Sequence, residues 1–552
     1  LASSPRELSS STVSPSRVHT VHGRRWSSLV HGCMVGTLPG FLGWIQWNYR
    51  EAMATVGAPA ADDRLEPEVV RAGIVVVLGT IMAILDTTIV AVALDTLAKD
   101  FHVSISTISW VTTGYLLALA VVIPVTGWAI HRVGAKPLYI VSLVLFIVGS
   151  AACGMAWSAT SLIAFRVLQG IGGGMLMPVG QTIMARAAGV NRMGRVMGII
   201  GVPTLLGPIL GPVIGGAIVT GTTWRWIFFV NVPIGILALI LAFRFLTDTA
   251  RDSEHRFDLP GFLLLSPGLA LLVYGLSEVG NRGTFLDPTV LWCTGVGLVM
   301  ITGFVFRSLR APEPLMDMRL FKNRNFSVSS ICIFLTGATL YGTMFLLPLY
   351  YQIVRGQSAW MAGLMMAPQG IGAAMVMRPA GMWADRYGTR SVVPLGMLIL
   401  AIGTLAYTQV SASSNYWYLA SALFIRGIGL GLGMMPVFAA AYRNLAPMEI
   451  PRATTATNIV RQVGGSLGVA AFAVVLQTQI SSRLRIPSSQ ALSMNPAHLP
   501  MPVLVKLAEA FSTSFWWSFG VCVLAIFPAL LLPSSPPQAD TAPVGAPAPQ
   551  RA

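Results

Sequence analysis

Asp86 is the residue from which chemistry can be built. It sits near the middle of Gly73–Leu97, GIVVVLGTIMAILDTTIVAVALDTL, a run long enough to cross a bilayer as one helix. No other Asp or Glu lies deep inside an apolar segment of the chain. A carboxylate at that depth is costly unless it faces a polar cavity or carries a proton, so the chemistry on offer is reversible proton binding. The competing reading is a polar residue tolerated at a helix contact. A second charge, Arg166 in FRVLQG, falls inside another apolar run. Buried there, a guanidinium needs a partner or a polar cavity, and it could orient or tune the proton site. Its competing reading is a side chain that snorkels to the nearer interface.

The elements that must position these two charges are membrane helices. Of 552 residues, 54% are hydrophobic and 10% charged. Soluble domains carry about 25% charged residues, so the composition excludes a soluble chain. The apolar runs are continuous and do not alternate, which excludes a β-barrel and leaves an all-α polytopic membrane protein. Fourteen spans are predicted, at about 73–97, 107–130, 137–157, 160–183, 195–219, 225–246, 260–279, 288–306, 326–353, 361–383, 391–409, 416–440, 454–479 and 510–532. Basic residues collect in alternate loops, which places both termini in the cytoplasm. The net charge of +15 is therefore read as orientation, not as affinity for nucleic acid. Five scattered cysteines have no metal-ligand or disulfide spacing.

The chain also repeats itself. GWAIHRVGAK (127–136) returns as GMWADRYGTR (381–390), and FRVLQGIGGGMLMP (165–178) as IRGIGLGLGMMP (425–436). Two homologous six-helix halves explain this, with an inserted helical hairpin between them. The expected divisions are a disordered cytoplasmic segment 1–68, a first half 69–250, the hairpin and its loops 251–324, a second half 325–533 and a disordered tail 534–552. Leu29–Trp47 follows Arg24-Arg25 in the manner of a signal peptide, but its Gly, Pro and His make it a poor span.

Three further stretches carry physical readings. In GVPTLLGPILGPVIGG (201–216), Gly207, Gly211 and Gly215 recur every fourth residue and line one helix face, with Gly216 beside them. Pro208 and Pro212 remove backbone donors and bend the helix, so the segment can serve as a seam between the halves. In the repeated loop, Gly127 and Gly134 allow close packing and a tight turn, while Arg132 and Lys136 can hold helix ends by charge. Its second copy offers Asp385, Arg386, Gly388 and Arg390. Tyr341, Met344, Tyr350 and Gln352 could meet a lipophilic cation, or simply pack between helices. No phosphate-binding loop, metal cluster or nucleophile constellation is present, and GIGGGM (170–175) lies inside an apolar span with no preceding strand.

Six, two and six helices with these repeats resemble the fourteen-span drug:proton antiporters (EmrB/QacA type) of the major facilitator superfamily, over about residues 70–535. LDTTIVAVAL (85–94) resembles the family's first-helix signature, with Ala91 at the usual Asn and Asp95 at the usual Pro. Asp86 falls on the family's acidic position, and Arg166 matches its arginine together with Gln169 and Gly170. The loop motif resembles the superfamily pattern, with His131 in place of its Asp. Residues 201–216 resemble the fifth-helix signature that marks exporters, and WRWIFFVNVPIG and RQVGGSLGVA also resemble family stretches.

The resemblance implies a major facilitator fold and proton-coupled efflux of hydrophobic or cationic small molecules across the cytoplasmic (inner) membrane. It implies no enzyme activity and no cofactor or metal beyond the proton as coupling ion. The expected partners are membrane lipid and the small-molecule substrate, with no nucleic acid and a monomer as the working unit. The alternatives are an exporter of one endogenous metabolite, siderophore or lipid, a symporter, or a non-transporting membrane sensor.

Overall fold

The computed structural model describes residues 66–188, 221–247, 256–485 apart from 444 and 447, and 500–533. Between these it describes 196, 201, 207, 210, 211 and 213–219. Apart from residues 66–68, the two terminal segments expected to be disordered lie outside the described residues.

Among the described residues, thirteen helices are long and apolar enough to cross a membrane, and the chain is a multi-pass membrane protein. Each of thirteen expected spans has its helix. The remaining one, 195–219, is described only in part, and Gly207, Leu210, Gly211 and 213–219 are helical.

The first group comprises α1 (Pro67–Asp100), α2 (Ile105–Val133), α3 (Ala135–Gly154) and α4 (Ala159–Ala188), then the short α5 (Trp226–Phe229) leading into α6 (Asn231–Phe245). α4 lies against α2 and α3, and α1 lies against α4 and α6. The glycines of GIGGGM are spent on this packing: a Cβ on Gly172 would lie 2.6 Å from Phe146 N of α3. The hairpin is α7 (Leu259–Arg282) and α8 (Pro288–Arg310). The last group is α9 (Arg324–Leu349), a π turn at Tyr350–Val354, α10 (Ala359–Met365), α11 (Ala367–Tyr387), α12 (Thr389–Tyr407), α13 (Tyr416–Tyr442), α14 (Ile450–Leu484) and α15 (Met501–Leu530).

The repeat seen in the sequence is a repeat of backbone geometry. Gly134 joins α2 to α3 at φ 98°, ψ 153°, and Gly388 joins α11 to α12 at φ 84°, ψ 155°. Side chains rarely adopt that φ, so each copy of the loop needs its glycine.

α7 packs on α2 and α14, so the hairpin lies where the two groups meet, while α8 packs on α7 and turns Trp292, Leu298, Val299 and Phe306 outward. Such side chains suit lipid contact. One acid ties the base of the hairpin together. Asp258 caps α7 by accepting from Gly261 N at 3.0 Å, accepts from Arg307 Nη2 of α8 at 2.8 Å and takes Leu315 N at 3.3 Å.

The two groups are joined by α14, which packs on α2 and α4 through neutral polar side chains. Thr126 and Thr455 hydroxyls are 3.3 Å apart, Thr182 and Thr454 hydroxyls 2.9 Å, and Asn458 Nδ2 donates to Gln181 Oε1 at 2.6 Å. Gly127 makes the approach possible, since a Cβ there would lie 3.1 Å from Thr455 Oγ1.

Candidate functional site

α1 carries Asp86 about 29 Å from its first residue at 1.5 Å per residue, and the side chain is completely buried. α4 runs the other way and brings Arg166, also completely buried, to the same level. Arg166 Nη1 lies 2.5 Å from Asp86 Oδ2 and 2.8 Å from Gln169 Oε1, and Nε donates to Val111 O at 3.1 Å. Gln169 Nε2 donates to Asp86 Oδ1 at 2.9 Å. Asn231, the first residue of α6, donates through Nδ2 to the same oxygen at 3.2 Å and to Ser150 Oγ at 3.2 Å. Ser150 in turn donates to Phe228 O at 2.9 Å. The Tyr115 ring lies under the guanidinium, 4.2 Å from Cζ.

Three groups thus donate to one carboxylate, so the arrangement suits an ionised Asp86. A proton on Asp86 would compete with Arg166 for the same oxygens. Breaking a buried pair by removing one charge costs about 3–5 kcal/mol, so proton uptake here cannot leave the surrounding helices indifferent. Arg166 Nη2 and Asn231 Oδ1 are buried without a partner, which leaves capacity for a rearranged network.

The expected fifth-helix glycines stand beside this site. A Cβ on Gly207 would lie 3.0 Å from Ile84 Cβ, one on Gly211 2.5 Å from Thr88 Cβ, and one on Gly215 3.2 Å from Ile89 Cα. All three neighbours belong to α1, and Thr88 Oγ1 also donates to Gly207 O at 3.3 Å. The glycine face therefore meets the helix of Asp86 in its own group, where the sequence reading placed a seam between halves. A glycine face takes whichever helix is nearest, and period alone does not say which. Other faces of the same segment reach the last group: Gly201 lies by Met377 and Met435, and Gly216 by Trp360. Pro208 and Pro212 lie outside the described residues.

Of the loop residues, Lys136 Nζ donates to Phe243 O at 3.4 Å, near the end of α6, where a cation is favourable. Arg132 and Arg390 are exposed, and Arg390 N donates to Pro533 O at 3.3 Å. His131, standing at the Asp position of the motif, is buried. Asp385 is half-buried, and the neighbouring Arg386 guanidinium lies 5.5 Å from the Tyr387 ring.

The four candidate substrate contacts do not form one surface. Tyr341 faces α14 and accepts from Arg461 Nη1 at 3.3 Å. Tyr350 is fully buried in the cluster of Tyr351, Tyr407 and Phe511, and its hydroxyl donates to Ser411 O at 2.8 Å. Met344 packs on that same cluster, and Gln352 is half-buried in the π turn.

Asn231 lies in WRWIFFVNVPIG and Arg461 opens RQVGGSLGVA. Each is a polar side chain inside an apolar helix, and that was the signal available. Arg426, fully buried on α13, completes the set.

A helical bundle with a repeated loop unit thus encloses a buried intramembrane ion pair. The chain belongs to the Major Facilitator Superfamily, whose model matches residues 76–469. It is similar to "Multidrug resistance protein B homolog" of Mycobacterium tuberculosis, at 39% identity over 499 residues, 86% of this chain and 92% of that one. It is also similar to "Uncharacterized MFS-type transporter YhcA" of Bacillus subtilis, at 35% identity, covering 72% of this chain and 74% of the relative. Among solved structures, the proton:xylose symporter XylE superposes with a TM-score of 0.55 at 14% identity, over 84% of this chain and 95% of that one, which shows the shared fold. The protein is a membrane transporter of that superfamily and not an enzyme.

Proposed function

We propose that the protein is a proton-coupled exporter of hydrophobic small molecules in the cytoplasmic membrane, with both termini in the cytoplasm. The observation that carries this is the Asp86–Arg166 pair, sealed between α1 and α4 with a carboxylate that a proton and a guanidinium contend for. A proton entering from outside neutralises Asp86 and frees Arg166, and the helices around the pair repack. Substrate then binds from the cytoplasm or inner leaflet, and proton release accompanies its export. A proton moves this equilibrium only through its different affinity for the two states, and repacking of the ion pair supplies that difference.

The contacts between the halves fit such a cycle. With the loops of Gly134 and Gly388 cytoplasmic, the Thr126–Thr455, Thr182–Thr454 and Gln181–Asn458 contacts join the halves on the cytoplasmic side of the site. Each is neutral and worth only about 1 kcal/mol net, so the closure can open without separating charges. The glycine-proline stretch resembling an exporter signature and the multidrug name of the mycobacterial relative support the outward direction.

Transport of a lipophilic dye into proteoliposomes tests the reading. An inside-acid gradient should drive the dye uphill into vesicles, and Asp86→Asn should abolish that flux while dye binding persists. Uphill transport by Asp86→Asn at the wild-type rate would take this residue out of the coupling, and flux in the same direction as the protons would make the protein a symporter. Orientation is read separately. A cysteine at Ser488 should react with an impermeant reagent in intact cells, and reaction only after permeabilisation would reverse the topology.

A further inference from the structure

α7 touches both halves, and a transport cycle cannot leave it fixed to both. Carriers of this fold work by rocking one half against the other about a site near mid-membrane. α2 of the first half and α14 of the second flank one seam between the halves, so their ends must part and meet again in each cycle. At the cytoplasmic end they touch directly, through Thr126 and Thr455. Further along, Ile123 of α2, Leu269 and Val273 of α7, and Ile459 and Val463 of α14 surround a void of about 10 Å³, no larger than one water. Three helices close on one another there, with no gap for a lipid chain.

The two sides of α7 hold differently. Toward α2 it is pinned by rings at two separate places. Phe257, just ahead of its cap Asp258, meets Trp128 edge-on at 4.8 Å, and Tyr274 stacks on Trp110 at 5.6 Å. Toward α14 it presents Leu276 and Val279, which pack on Ala470. Ring pairs prefer a specific geometry, whereas aliphatic packing is non-directional and trades one contact for the next. The hairpin also moves as one piece. A Cβ on Gly297 of α8 would lie 2.8 Å from both Gly268 O and Leu272 N of α7, and Asp258 ties the base of α7 to Arg307.

We infer that α7 is a sliding seal: it travels with α2, slides on α14 and keeps the bilayer out of that seam. Hydrophobic substrate then passes between bilayer and interior by the other seam, where Gly201 meets Met377 and Met435 and Gly216 meets Trp360. This rests on the reading of the protein as a carrier of hydrophobic molecules and adds the route they take.

Two measurements test it on full-length protein whose five native cysteines are replaced by alanine. Neither uses a pH gradient, so both stand apart from the coupling experiment. The first reads the seal. In vesicles of brominated lipid, bimane on Val299→Cys should be strongly quenched, and bimane on Ile123→Cys less than about a fifth as much. Adding Leu269→Ala and Val273→Ala should let the quencher reach position 123. Equal quenching at the two positions in the parent would overturn the inference. The second reads the sliding, as equilibrium exchange of ethidium across proteoliposomes. Joining Trp110→Cys to Tyr274→Cys with a short bis-thiosulfonate should leave exchange within about twofold of the unjoined protein. Joining Leu276→Cys to Ala470→Cys should cut it at least tenfold, and reduction should restore it. A harmless clamp between α7 and α14, or arrest by the clamp between α7 and α2, would show that α7 does not move as inferred. Should a cysteine pair fail to fold, the quenching comparison decides alone.

Discussion

Arg166 and Arg426 occupy matching places in the two halves, on α4 and α13, and both are completely buried. Their surroundings differ in one respect. Arg166 has a carboxylate at 2.5 Å. Arg426 has the amide oxygen of Gln369 at 2.6 Å and the Thr404 hydroxyl at 3.2 Å, with Nη2 unpartnered and, among the described residues, no acid bonded to it. The scaffold below them is shared. Gly149 on α3 lets Gln169 approach to within 2.7 Å of where a Cβ would stand, and Gly403 on α12 does the same for Arg426 at 2.6 Å. On the proposed coupling, one half holds a charge that a proton switches, while the other holds an arginine whose described partners are neutral. Duplication supplied the helices and the arginine twice, and the acid bonded to that arginine stands in the first half.

The largest expected effect separates the two arginines. Arg166→Met strands Asp86 as an unpaired buried carboxylate and should cost about 3–5 kcal/mol. Arg426→Met strands no anion, removes an uncompensated cation and should change stability by no more than about 1 kcal/mol. Denaturation of the two purified variants in the same detergent compares them, and equal losses would break the distinction between the halves. The glycines should behave alike where the arginines do not. Gly149→Ala and Gly403→Ala each push a helix backbone away and should each cost about 1–3 kcal/mol, the usual range for overpacking. A large loss in one and none in the other would show that the scaffold itself is not shared. The smallest effect is a gain. Gln369→Glu places a carboxylate where Arg426 already donates, and should raise the melting temperature by a few degrees, since about 1 kcal/mol moves the midpoint of a large domain about 2–4 °C. A fall in the midpoint would mean that Arg426 is neutralised by some other group. Asp86→Asn with intact proton-driven flux would remove the comparison's premise.

Much of the fold was legible because bilayer helices declare themselves by length and continuous apolarity. The loop glycines were legible too, since their repetition at 134 and 388 marked a turn that the backbone makes twice at positive φ. Which faces meet was not. The glycines at 207, 211 and 215 announced a close approach, but their partner proved to be α1. Tyr341 and Tyr350 stand nine residues apart near one end of a long helix, yet one meets Arg461 and the other is locked to Ser411.

The sequence by itself determined the class of protein, the count and order of the described spans, the internal repeat and the position of one acid deep in an apolar span. Each follows from local properties, namely hydrophobic length, residue type and recurrence along the chain. Tertiary structure alone decided that Arg166, Gln169 and Asn231 converge on Asp86, across separations of 80 to 145 residues. It alone left Arg426 without an acid among the described residues and set Arg461 between the halves. A helix fixes which residues share its face, but which helix that face meets is settled by the packing of the whole bundle, where small residues admit close approach and buried charges must be answered.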